Sequence, residues 1–123
     1  MSQNYKLKIE NIEQEQKELC RKYGVDFQRI DFNLRFGFSK NFFSGVMPLN
    51  GFRHPAEGNM CGWYFWAGEE FSKADDFFKP MHVFHLIDRS PYLLQYLALP
   101  AGWRFLAAGD YEDVWFDENL LNI

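Results

Sequence analysis

Five carboxylates, Glu69, Glu70, Asp110, Glu112 and Asp113, stand beside turn glycines and among tryptophans and tyrosines. Two facing carboxylates can serve as general acid and base. Glycosidases pair them with aromatic platforms for sugar. Glu69 and Asp110 are the pair for that chemistry, but their spacing imposes no approach and no third catalytic element accompanies them. The same residue types also describe aromatic anchors within a charged rim, the composition of a protein-binding patch. In that reading the rings are Trp63, Tyr64, Trp66, Tyr111 and Trp115. The acids are Glu69, Glu70, Asp110, Glu112, Asp113 and Asp117. Trp115 is the sharpest case, because on a strand it shares a face with Asp113 and Asp117.

Other chemistry-bearing types are weaker. His82, His85 and Asp88 follow one another at spacings of three, which on a helix would begin a metal site. The spacing matches no known ligand motif, and apolar Val83, Phe84, Leu86 and Ile87 fill the gaps. No metal or cofactor is expected. Ser44-Gly45 and Ser90-Pro91 read as turn and cap chemistry and lack a nucleophile signature. The glycines at 45, 51, 58 and 62 do not form a phosphate-binding loop. Cys20 and Cys61 fit no metal or redox spacing and are expected as free buried thiols.

The elements that position these residues follow from periodicity. Ile9, Ile12, Leu19, Cys20 and Tyr23 fall on one face of a helix over 8–23, which Gly24 ends. Phe32, Leu34, Phe36 and Phe38 alternate with polar residues, giving a strand over 32–39. Residues 40–60 hold prolines and glycines and read as a long loop with a short strand at Gly45–Leu49. "CGWYFWAGEE" is a strand over 61–67 with two apolar faces. It is either central and covered on both sides or a display of aromatics. "FSKADDFFKP" reads as a polar-edged linker, and "MHVFHLIDR" as a short helix or strand. A helix over 90–98 starts at Ser90 as N-cap and Pro91, buries Leu93, Leu94 and Leu97, and stops at Pro100. Gly102–Ala107 and Tyr111–Phe116 form a hairpin around Gly109-Asp110. "GWYFWAGE" and "GWRFLAAGD" echo each other. Two copies with unlike flanks are not a repeat architecture. They read as two strands of one sheet under similar packing demands, each ending in a glycine-acid turn at the same sheet edge.

The chain of 123 residues suits one domain over 1–123. Its net charge of −4 argues against nucleic-acid binding, which needs clustered Lys and Arg. The N-terminal stretch lacks the apolar core of a signal peptide, and no apolar run is long enough for a bilayer. A cytoplasmic location without membrane contact is the expectation. Burial must come largely from rings, with 14 Phe and 4 Trp.

The segment 62–121, with "GWYFWAGEE", "HVFHL", "YLALPAGWRFL" and "GDYEDVWFDENLL", resembles the immunity protein thirty-three-like family, a bacterial domain long of unknown function. The first 60 residues carry no part of that resemblance. It implies an α+β fold, no enzymatic activity, and a role in polymorphic toxin systems as an antidote that binds a cognate toxin. It implies no particular contact residues. An acidic single domain suits such an inhibitor, since acidic surfaces meet basic toxins quickly through electrostatic steering. A charge of −4 is too modest to name a nuclease as the target.

The resulting expectation is an α+β domain with a mainly antiparallel sheet of four or five strands, an N-terminal helix and a second helix near 90–98. Function is toxin neutralisation through Trp63, Trp66, Glu69, Glu70, Asp110, Tyr111, Glu112, Asp113, Trp115 and Asp117. The alternative is a small-ligand or carbohydrate-binding module using Trp63, Trp66 and Trp115.

Overall fold

The computed structural model describes residues 3–69 and 77–122. Helix α1, Gln3–Tyr23, is amphipathic, and its apolar face carries Ile12, Leu19 and Cys20 into the core. Gly24, at φ +69°, ends it in the left-handed region as the sequence predicts. Six strands follow: β1 Arg35–Ser39, β2 Leu49–Arg53, β3 Met60–Ala67, β4 Phe78–His82, β5 Trp103–Ala108 and β6 Tyr111–Phe116. They form one sheet in the order β4-β1-β3-β2-β5-β6. Among the described residues, the β1–β3 pair is parallel and the other four pairs are antiparallel. The fold is α+β with a mixed, mainly antiparallel sheet, in agreement with the sequence expectation, although the sheet has six strands where four or five are expected.

Several elements differ in detail. The strand expected at Gly45–Leu49 lies at Leu49–Arg53, where the strand places Gly51 between two rings of its neighbours. The first strand begins at Arg35, because turns occupy the residues before it. The sequence reads as a linker and an ambiguous segment where β4 lies, and residues 71–76 of that linker are outside the described residues; Lys79 and Pro80 mask the strand character of β4, and Pro is tolerated there because β4 is an edge. The 90–98 helix is a 3-10 segment, Pro91–Tyr96, preceded by the single turn α2, Leu86–Arg89. Ser90 makes no side-chain capping bond. Leu93, Leu94, Tyr96, Leu97, Ala98 and Leu99 are all fully buried, while Pro91 and Tyr92 are exposed and Gln95 is partly so.

The helical elements cover one face of the sheet. Phe36, Trp63, Phe65, Phe105 and Val114 project from the strands into that layer with α1 and the Leu93–Leu99 segment. Both thiols, Cys20 and Cys61, are free and buried. The other face carries a smaller cluster in which Phe52, Trp66 and Leu120 are buried and Tyr64, Phe77 and Phe78 pack against them. β3 is therefore central and covered on both sides.

The sequence echo has a structural meaning. β3 and β5 flank β2, with Leu49 opposite both Ala67 and Ala107, and Gly51 opposite both Phe65 and Phe105. A Cβ on Gly51 would stand 2.2 Å from Phe105 Cε2 and 2.8 Å from Phe65 Cδ1. The glycine is the gap through which the two phenylalanines meet, with ring centroids 5.8 Å apart. Gly62 and Gly102, which open the two copies, have φ of +102° and +95°, a conformation few other residues adopt. Because both strands run antiparallel to β2, the turns at Gly68-Glu69 and Gly109-Asp110 lie at the same end of the sheet.

Candidate functional site

The β5–β6 hairpin turns through two residues, Gly109 and Asp110, with Ala108 opposite Tyr111. Strand alternation then sorts every side chain. Tyr111, Asp113 and Trp115 point to the sheet face away from α1; Glu112, Val114 and Phe116 point to the helical side. Cross-strand partners on the first face are Ala108, Leu106 and Arg104.

Arg104 organises this face. Its guanidinium carbon lies 5.4 Å from the Trp115 ring centroid, 5.8 Å from Phe52 and 5.9 Å from Trp66. Its Nη1 donates to Asp117 Oδ2 at 3.0 Å. Asp117 Oδ1 accepts from the Asn119 backbone N–H at 3.1 Å and so opens the 3-10 turn Glu118–Leu121. The Arg104 guanidinium, with the Asn119 amide, holds the Asp117 carboxyl below the usual carboxylate range. The puzzle of a tryptophan between two aspartates resolves here. Trp115 is half-buried because one flank rests against the Arg104 cation, and the cation is balanced by Asp117. Asp113 faces solvent.

Of the residues expected at the site, Tyr111 is 59% exposed, Asp110, Asp113 and Glu69 are exposed, and Trp115 is half-buried. Asp110 and Glu69 sit at the shared sheet end, together with the exposed Val46 and Met47 that precede β2. Glu70 lies outside the described residues. Three of the expected residues lie apart from that surface. Trp63 is fully buried on the helical side, its indole N–H donating to the Leu97 carbonyl at 2.9 Å. Trp66, although on the outer face, is buried among Phe52 and its neighbours and supports the surface from beneath. Of the three rings in the carbohydrate reading, only Trp115 is therefore partly open to solvent. Glu112 is the third, because alternation turns it away from Asp113 toward α1.

Glu112 ties three elements together. Its Oε2 accepts from Tyr23 Oη at 2.6 Å and Lys22 Nζ at 3.1 Å, and its Oε1 accepts from Tyr96 Oη at 2.6 Å. Burial pushes its carboxyl up, but the bonds from Tyr23, Tyr96 and Lys22 outweigh this and leave it below the usual range. Burial, together with the bonds to Glu112 and Tyr92, pushes the Tyr96 phenol far up. The carboxylate lines a cleft of about 240 Å³ with Glu15, Glu18, Lys22 and Gln95.

The sequence reading missed Arg104 and the tyrosine pair. A hairpin count was enough for Arg104: with 108 opposite 111, residue 104 falls opposite 115. Tyr23 and Tyr96 carry no comparable local signal, since 89 and 16 residues separate them from Glu112. His82 ends β4 and His85 ends a 3-10 turn, their rings 6.3 Å apart, so the helical spacing suggested by the sequence does not exist. Among the described residues no three His, Cys, Asp or Glu side chains gather as a metal group. No helix among them is long and apolar enough to cross a membrane.

Residues 15–117 match the Imm33-like domain. The chain belongs to the Imm33-like domain family. The match takes in the C-terminal part of α1, all six strands and the 3-10 segment, and so reaches well before residue 62, where the resemblance legible in the sequence began. No curated protein and no solved structure matches. Family membership makes this an immunity-like, interaction-type domain.

Proposed function

We propose that the protein binds and neutralises a cognate bacterial toxin, stoichiometrically and without catalysis. The contact is made by the outer face of the β5–β6 hairpin and its tip. Tyr111 and Trp115 are the anchors; Asp110, Asp113 and Glu69 form the charged rim. The observation that carries this reading is the placement of Tyr111, Asp113 and Trp115 side by side on a sheet face turned away from the helices. There Arg104 and Asp117 hold the Trp115 ring in one orientation before any partner arrives. A ring already fixed costs little entropy to bind. Family membership supplies the toxin half of the proposal, and the exposed acids suit a partner with a basic surface.

The test is direct titration against any toxin domain encoded beside this gene, with growth rescue in cells as the companion assay. Trp115→Ala and Tyr111→Ala are each expected to weaken binding by roughly 30-fold or more, the loss typical of an interface hot spot. Their circular dichroism should match the parent. Undiminished affinity in both variants removes the hairpin from the interface. An unfolded Trp115→Ala makes the ring a packing residue.

A further inference from the structure

The two edges of the sheet are built differently. β4 carries Lys79 and Pro80, residues that discourage pairing with another strand. β6, "YEDVWF", has neither lysine nor proline, yet it lies at the opposite edge. Its hydrogen-bonding pattern follows from the two-residue turn and from the bond that Asp117 N donates to Gly102 O at 2.7 Å. Tyr111, Asp113, Trp115 and Asp117 therefore turn their backbone groups toward β5. Glu112, Val114 and Phe116 turn theirs outward. Among the described residues no backbone or side-chain group bonds to those outward N–H and C=O groups. Tyr111, 59% exposed, and Phe116, 48% exposed, flank the edge at its two ends.

We infer that β6 is a pairing edge onto which an extended, basic segment of the partner protein adds as a seventh strand. This deepens the toxin-binding reading and rests on it. The charge pattern selects the occupant. Residues 109–119 contain five carboxylates and no Lys or Arg. Glu112 and Asp117 are paired with Lys22 and Arg104. Asp110, Asp113 and Glu118 have no ion-pair partner among the described residues. A second copy of this chain would bring the same surplus against itself, which disfavours self-pairing. A partner strand with Lys or Arg on the Tyr111–Asp113–Trp115 side meets Asp113. Its alternate apolar residues lie beside Val114 and Phe116. Main-chain bonds then supply affinity and the alternating side chains supply selection.

The test is residue-resolved amide exchange by NMR on the whole chain. In the free protein, the amides of Glu112, Val114 and Phe116 should exchange much faster than those of Asp113 and Trp115. Adding a blocked peptide of alternating lysine and valine should slow the three outward amides at least tenfold. A glutamate-valine peptide should not, nor should a lysine-valine peptide N-methylated at the pairing positions. Asp113→Lys, a change at an exposed side chain, should abolish the preference between the two charge types. Three results overturn the inference: outward amides already protected in the free chain, equal protection by the glutamate peptide, or peptide shifts lying elsewhere. Concentration-dependent dimerisation in sedimentation with those amides protected makes the occupant a second copy and also overturns it. The two proposals separate in the toxin complex. If Trp115→Ala weakens the complex while the outward amides stay fast within it, edge pairing fails and hairpin docking stands. If the lysine peptide adds to β6 but no toxin binds, the toxin-neutralising reading fails instead.

Discussion

Replacing Glu112 with glutamine keeps the side chain's shape and removes its charge, and the structure allows the cost to be worked out. The carboxylate accepts two phenol O–H groups at 2.6 Å, one on each oxygen, and is about one-fifth exposed. Hydrogen bonds to a charged partner contribute about 1.5–3 kcal/mol each. The amide can still accept one phenol through its oxygen, as a neutral bond, but its NH2 opposes the other. Lys22 is 64% exposed, so its share is small in salt. Relief of carboxylate desolvation returns part of the loss. Glu112→Gln should therefore destabilise the fold by about 2–3 kcal/mol at neutral pH. The pH dependence has a definite sign. With its folded-state pKa depressed, Glu112 binds fewer protons folded than unfolded. Its stabilisation is complete above the ordinary value of 4.5 and is lost as pH falls through the lower folded value. Urea unfolding followed by far-ultraviolet circular dichroism, in buffers from neutral to acid, should show a constant gap between parent and variant down to about pH 5, narrowing below it. Equal stability at neutral pH, or a gap that stays constant into strong acid, refutes the assignment of Glu112 as the tie between β6, α1 and the Leu93–Leu99 segment.

Gly51→Ala should lower stability by about 1–3 kcal/mol through overpacking against Phe105 and Phe65, despite the gain of about 0.5–1 kcal/mol that alanine brings to a strand. Calorimetry should place its Tm roughly 3–5 °C lower for each kcal/mol lost. An unchanged or higher Tm contradicts the close approach of the two rings. Arg53→Met should cost about 1–3 kcal/mol in urea unfolding, because the buried guanidinium is a donor to Leu97 O, Leu99 O and Cys61 O, and Trp63 can replace it only at Leu97. Gly62→Ala should impair folding outright, since a Cβ there would sit 1.9 Å from the His54 carbonyl oxygen at φ +102°. Soluble expression at the parent's level argues against that contact.

What could be read from the sequence was what is local. α1, β3 and the β5–β6 hairpin are set by periodicity and turn chemistry within a few residues; β3 and the hairpin lie within a residue of their expected bounds, and α1 ends where expected but begins five residues earlier. The Gly-Trp-x-Phe echo correctly placed two glycine-acid turns at one sheet end, because its positions are in register across β2. The same alternation that exposed Tyr111, Asp113 and Trp115 also turned Glu112 inward, and grouping all the acids together overlooked it. β4 and the parallel β1–β3 pairing were hidden for a different reason. Their partners are distant in sequence, and Pro80 speaks against a strand until the segment is known to be an edge. The Pro91–Tyr96 segment reads as a helix by its leucines, but leucines at spacings of three and four suit a 3-10 turn as well, and spacing alone does not separate the two. The contrast between Trp63 and Trp115 is similar, since only knowledge of which face α1 covers tells a core indole from a surface one.

The four indoles also divide the molecule optically. Trp63 and Trp66 are shielded, whereas Trp103 and Trp115 are partly open to solvent and both belong to the hairpin. A neutral collisional quencher such as acrylamide therefore reaches only the hairpin pair. Emission from the unlabelled protein thus reads out occupancy of that one supersecondary unit, with the shielded pair as a built-in reference.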